Sequence, residues 1–298
     1  MPDQTPRPVP RRTLAAPVRV EGVGVFTGLD TAVRFEPRAA DAAPGLTIAR
    51  DGGEPAPATI ENLSHEPVHP IFEAIPSRHT NIATPGGTVF TVEHALAALA
   101  GLGITDAHLE VTGPELPFLD GSAIGFAEPI IAAGTAELPG VVGPLAPAEP
   151  ARLASDDGRA VIDIAPRDAA DAPLWRYELD YAGRIPPCTA SWDGSPAAFI
   201  DTIAPARTFA LEEEARAMRD AGLFTRFAPD DLLVMGSGGA PIDNALRAEN
   251  ETAAHKLLDL IGDLALAGAP VAAAIHARRS GHALNHAVAR ALAARTPR

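Results

Sequence analysis

The stretch HKLLDLIGD, His255 to Asp263, sets a histidine, a lysine and two aspartates among leucines and an isoleucine. On a helix, positions four apart differ by only about 40° around the axis, so His255, Asp259 and Asp263 form one ionisable stripe. Leu257, Leu258, Leu260, Ile261 and Leu264 flank it, which predicts a helix buried on nearly every side. Charges buried in that way need an opposite charge, a metal or a changed protonation state. Two readings are open for His255 and Asp259. One is an intrahelical hydrogen bond worth about a few tenths of a kcal/mol; the other is a pair of ligands for a divalent metal, which accepts neutral imidazole and carboxylate together.

Three further segments carry groups of matching chemistry. In TVEH, Glu93 suits the first turn of a helix through the macrodipole and His94 suits a core. Alternatively, His94 is a third metal ligand and Glu93 a base toward water. In RRSGHALNH, a helix start at Ser280-Gly281 places His282 where it could act as an acid if a carboxylate such as Asp263 holds its imidazolium; His286, one turn on, reads as a solvated histidine. In ARTF, Thr208 could donate to a developing oxyanion. Other motifs offer less. GVGVFTG lacks phosphate-loop spacing and runs into another strand, GSGG reads as a turn, LEEEARAMRD as a solvated helical face, and Cys188 has no evident nucleophilic partner.

The surrounding pattern predicts the elements that must hold these groups. PVRVEGVGVFTG and TAVRFEPR alternate as a hairpin, GLTIARDGG and AHLEVTGPE read as strands, and TVEHALAALAGLG and DGSAIGFAEPIIAAG as helices, the second interrupted by Pro129. Residues up to Leu14 read as a loose tail, and residues 139–150 as a Pro- and Gly-rich linker. Beyond the linker come strands in RLASDDGRAVIDIAP and LWRYELDYAG, a helix in LEEEARAMRDAG, the stripe helix, a strand in PVAAAIHA and a last helix in HALNHAVARALAA. The expectation is two α+β domains, residues 15–138 and 151–298. HALAALAG at His94 and HKLLDLIG at His255 share H-x-L-x-x-L-x-G. Chance between two leucine-rich helices and an internal duplication both explain that match; under duplication, a pseudo-twofold axis would bring the two histidines to one site.

Bulk properties narrow the partners. With 298 residues, 46% hydrophobic, the chain can bury a sizeable core. A formal charge of −14 opposes nucleic acid and anionic lipid. A single cysteine rules out an internal disulfide and a cysteine-rich metal site. No stretch approaches the length of a transmembrane segment and the N-terminus has no apolar targeting region, so a cytoplasmic protein is expected.

Taken in order, TVEHALAALAGLGI, GPELPFLDGSA, ARTF, HKLLDLIGDLALAG and SGHALN resemble the UDP-3-O-acyl-N-acetylglucosamine deacetylases, zinc enzymes of lipid A biosynthesis, from about Val18 to the last helix. The resemblance implies two similar α+β domains with helices sandwiched between layered sheets, and a monomer. It implies that His94, His255 and Asp259 bind Zn2+, that Glu93 is the general base, and that His282, oriented by Asp263, is the acid or electrostatic stabiliser. Thr208 and Lys256 would steady the oxyanion, Arg279 would face the pyrophosphate of a UDP-activated acylated amino sugar, and Phe209 with LEEEARAMRDAGL would line a passage for the acyl chain. Hydrolysis of another N-acyl amino sugar, or nucleotide-sugar binding without catalysis, are the alternatives. The chain departs from the family pattern at Phe26, usually histidine, at Ala254, usually arginine, and over Phe227–Glu251, which is short and altered.

Overall fold

The computed structural model describes residues 7–73, 78–167 and 175–294. The first half contains β1 (Val9–Leu14), β2 (Val18–Val23), β3 (Asp30–Pro37), β4 (Leu46–Arg50), β5 (Ala56–Pro57), the hairpin β6 (Ile82–Thr84) and β7 (Gly87–Val89), α1 (Glu93–Gly101), β8 (Ala107–Thr112), α2 (Ile124–Ala133) and β9 (Thr135–Val142). The second contains β10 (Ala151–Ala154), β11 (Val161–Pro166), β12 (Trp175–Leu179), β13 (Cys188–Trp192), the single turn α3 (Pro196–Ala198), β14 (Phe209–Leu211), α4 (Glu212–Asp220), β15 (Leu233–Met235), α5 (Glu251–Ala265), β16 (Ala273–Arg278) and α6 (His282–Ala293).

Each half is built on a five-stranded sheet, and the two sheets share one topology. Their orders are β2-β3-β8-β4-β5 and β10-β11-β16-β12-β13. In both, the strand of the sheet that comes last in the chain, β8 or β16, enters the centre, antiparallel to one neighbour and parallel to the other. In both, a helix leads into that central strand and a second helix follows it, so α1 corresponds to α5 and α2 to α6. This correspondence decides for duplication over chance, and the fold is α+β with two similar halves.

Period-2 alternation puts one face of each sheet inward: Val18 and Val20 on β2, Leu109 and Val111 on β8, and Ile275 and Ala277 on β16 are buried. The helices fill the space between the sheets. α1 packs along α5, α2 lies on β2, α5 on β12 and β13, and α6 on β10 and β11. The α1–α5 crossing is close because it is built on glycine. A Cβ on Gly262 would stand 2.1 Å from the Glu93 carbonyl oxygen; its counterpart Gly101 faces away from α5, where a Cβ would stand 2.4 Å from the Phe199 ring. α5 is buried along its length apart from Lys256 and Ala265, as the leucine-flanked stripe predicts.

Two segments differ from the sequence expectation. Val9–Leu14 is not loose: β1 pairs antiparallel with β9, whose span to Val142 runs into the predicted linker. Its anchor is ionic as well as apolar. Arg11 is buried and its Nη2 lies 2.7 Å from Asp106 Oδ1, while Leu14 is buried in the core. The parallel pair β14–β15 flanks α4 as a small β-α-β insertion.

Candidate active site

The helix crossing places the first turn of α1 against the middle of α5. His94, His255 and Asp259 each offer a ligand atom there, all within 4.8 Å of one another. Asp259 Oδ1 is 3.6 Å from His94 Nε2 and 3.3 Å from His255 Nε2. The two imidazoles meet edge to face, with centroids 5.1 Å apart. His255 Nδ1 lies 3.1 Å from the Ala206 carbonyl oxygen; donation from Nδ1 leaves the Nε2 lone pair toward Asp259. Burial lowers the His255 pKa to about 3, so the imidazole is neutral. Two imidazoles and one carboxylate in this geometry fit a divalent metal. Lys256 Nζ donates to the other oxygen of Asp259 at 2.9 Å. Burial disfavours its charge, but Asp259 and the neighbouring tyrosines outweigh that and raise its pKa.

A second buried network adjoins the first. His282 opens α6, with Nδ1 2.9 Å from Asp263 Oδ2. Asp263 is fully buried and also accepts from Asn285 Nδ2 at 2.9 Å and Thr80 Oγ1 at 2.5 Å. Burial works against a charged His282, but Asp263, Asp259 and Glu93 overcome it and raise the pKa to about 9. His282 is therefore an imidazolium at neutral pH, with Nε2 3.9 Å from Asp259 Oδ2. Glu93 is buried and accepts from the Thr80 backbone N–H at 2.9 Å. Burial pushes its pKa up, and the attraction of His282 and His94 only partly opposes that.

A cavity of about 290 Å³ opens onto both groups, lined by Glu93, His94, Thr208, Phe209, Lys256, Asp259 and His282 among others. His255 and Asp263 stand behind the lining as buried supports. Thr208 is held by its backbone N–H, which donates to the Gly121 carbonyl at 2.7 Å. Arg279 stands apart: it lies off this lining, with Nη1 3.5 Å from Asp180. Sequence reasoning missed Thr80 and Asn285 and read His286 as solvated. His286 is only 8% exposed, with Nε2 2.9 Å from Thr80 Oγ1 and 3.4 Å from Asp263. The available signal was helical spacing, since Asn285 and His286 follow His282 by three and four positions. α4, expected to be a solvated face, pairs Glu214 with Arg78 and buries Met218.

The family model for UDP-3-O-acyl N-acetylglycosamine deacetylase (LpxC) matches residues 11–294. The chain belongs to this deacetylase family. Relatives named UDP-3-O-acyl-N-acetylglucosamine deacetylase include those of Thermosynechococcus vestitus, 35% identical over 95% of this chain and 94% of the relative, and Anaeromyxobacter sp. (strain Fw109-5), 34% identical over 94% and 87%. That of Phenylobacterium zucineum is 33% identical over 96% and 94%. The deacetylase family match spans both five-stranded sheets and all the residues gathered around the cavity. Deacetylation of a UDP-3-O-acyl amino sugar, a step of lipid A biosynthesis, is thus the activity of this chain. Among the described residues, no helix is long and apolar enough to cross a membrane.

Proposed function

We propose that the chain hydrolyses the 2-acetamido group of UDP-3-O-(3-hydroxyacyl)-N-acetylglucosamine as a zinc enzyme, with His94, His255 and Asp259 holding the metal. The observation that carries this reading is that one cavity is lined by His94 and Asp259 of that group together with Glu93 and His282, with His255 directly behind. Zinc bound there would polarise the amide carbonyl and lower the pKa of water at the site.

The chain's own residues divide the proton transfers. Glu93, an acceptor whose pKa is raised toward the working range, takes a proton from the attacking water. His282, charged through Asp263, protonates the amine nitrogen as the carbon–nitrogen bond breaks. Acetate leaves with the water oxygen, and the free amino sugar remains. Thr208 and Lys256, both on the lining, steady the negative charge on the carbonyl oxygen. Phe209 packs beside the metal group, its ring 6.3 Å from that of His255, and meets the substrate's apolar part.

The decisive experiment measures acetate release from the UDP-sugar together with metal content on the same sample. Release that requires about one zinc per chain supports the reading; stoichiometric zinc without release opposes it. We further read the enzyme as a cytoplasmic monomer, to be checked by cell fractionation and light scattering.

A further inference from the structure

The cavity has an apolar wall that the proton transfers do not use. Phe26 stands on it, with its ring 4.8 Å from that of His79, 5.1 Å and edge-on to Phe72, and 6.0 Å from Phe224. Phe72 and Phe224 are buried in a cluster with Val25, Phe118 and Met218 that is separate from the main core. Phe26 is backed by packed rings rather than by space.

Its backbone is fixed as well. The N–H groups of Phe26 and Thr27 donate to the Glu115 carboxylate at 3.1 and 2.8 Å, and the hydroxyls of Thr27 and Thr91 donate to it at 2.8 and 3.2 Å. Gly24 makes room for that buried carboxylate: a Cβ there would stand 2.3 Å from Glu115 Oε2. The glycine in GVGVFTG thus serves a side chain of the protein, not a phosphate. Elsewhere on the lining, Arg78 and Glu214 form a doubly hydrogen-bonded pair, 2.7 Å for each contact, which ties the segment before β6 to α4.

We propose that Phe26 and the Arg78–Glu214 pair set the length of 3-O-acyl chain that this deacetylase accepts, and that they restrict it to short chains. The inference rests on the deacetylase reading above. A cavity of about 290 Å³ is at the bottom of the roughly 300–1,000 Å³ range of ligand pockets, and it must also receive the reacting end of the sugar. An acyl chain gains about fourfold in affinity for each methylene it buries, and that gain stops where the wall begins. To go further, the chain must displace a ring seated on Phe72 or part a bidentate ion pair. Displacing the ring costs more than a methylene returns, because a packed interior resists added volume, and the ion pair sets a charged rim beside it where a further methylene finds no apolar surface to cover.

The test is kcat/KM for acetate release by the metal-loaded enzyme across UDP-3-O-acyl-N-acetylglucosamines of increasing chain length, with calorimetric titration of the same series. Kinetics and calorimetry are run on the parent protein, Phe26→Ala, the milder Phe26→Leu, and Arg78→Ala. We expect the parent to peak at a short chain. Phe26→Ala should raise the long-to-short ratio by about tenfold or more, chiefly through KM, with Phe26→Leu intermediate and Arg78→Ala shifted the same way. A parent optimum at the longest chain, or an optimum unmoved in the folded variants, overturns the proposal. Absence of release at every length would instead fail the deacetylase reading. The calorimetric series then decides the inference on its own: affinity peaking at a short chain supports it, and affinity that keeps rising or stays flat removes it.

Discussion

Asp263 Oδ2 lies 2.9 Å from His282 Nδ1, and both side chains are buried. This contact holds the histidine as a cation. Burial alone would favour the neutral ring, and the aspartate reverses that preference, lifting the pKa to about 9.

The pH profile follows from that sign. His282 acts in its protonated form, so activity is present below its pKa and lost as pH rises through about 9. Glu93 acts ionised, so activity is lost as pH falls through its raised pKa. Asp263→Asn removes the charge and should move the alkaline limb of kcat/KM down toward the roughly 6.5 of free imidazole. The same variant should flatten the dependence of melting temperature on pH. In the parent, the stabilisation from the raised His282 pKa is complete below about 6.5 and lost as pH rises through the folded value.

Removing the base separates catalysis from metal binding. Glu93→Gln keeps an oxygen to accept from the Thr80 N–H but cannot take up a proton. We expect kcat to fall by about two to four orders of magnitude with metal content unchanged, measured by acetate release and elemental analysis.

Removing a ligand should do the opposite. Asp259→Ala deletes the carboxylate shared by both imidazoles and leaves Lys256 without its partner. Metal stoichiometry should drop well below one and activity should vanish. Chelation of the parent should lower its melting temperature, with zinc restoring both temperature and activity, because a ligand that binds only the folded state stabilises it. A chelated protein that melts unchanged would count against a metal held between α1 and α5.

The helix crossing can be tested without touching an ionisable group. Gly262→Ala pushes a methyl into the Glu93 carbonyl, 2.1 Å away, and should destabilise the fold by about 1–3 kcal/mol, measured by denaturant unfolding. Activity should fall more steeply than stability alone requires, because the shifted backbone carries both the base and a ligand.

How much of this could be read in the sequence depends on distance along the chain. His255, Asp259 and Asp263 were legible because helical periodicity puts them on one face, and the leucines around them announced burial. His282 was legible from the Ser-Gly helix start. Thr80 was not, since it becomes informative only through Asp263, 183 positions away. β1 was hidden because Arg11 looks like a solvent residue until Asp106, 95 positions on, neutralises it. Arg279 had the right chemistry for a phosphate, yet its Nη1 lies 3.5 Å from Asp180, a pairing that composition does not reveal. Phe26 was visible as a departure, but its role as a wall needed the rings of Phe72 and Phe224 behind it.

The two crossing helices are copies that have divided their labour. His94 and His255 occupy equivalent positions, as do Gly101 and Gly262, but the acidic groups do not repeat. Where the first helix has Glu93 the second has Ala254, and where the second has Asp259 and Asp263 the first has Ala98 and Leu102. An ancestor that paired with its own twin would have offered two facing histidines and, by symmetry, either both sets of carboxylates or neither. In one fused chain the two copies need not match, and here each carries acidic groups the other lacks. Neither half carries the proposed set alone: Glu93 and His94 come from the first, and His255, Asp259 and His282 from the second, so the reading above requires both copies in one chain.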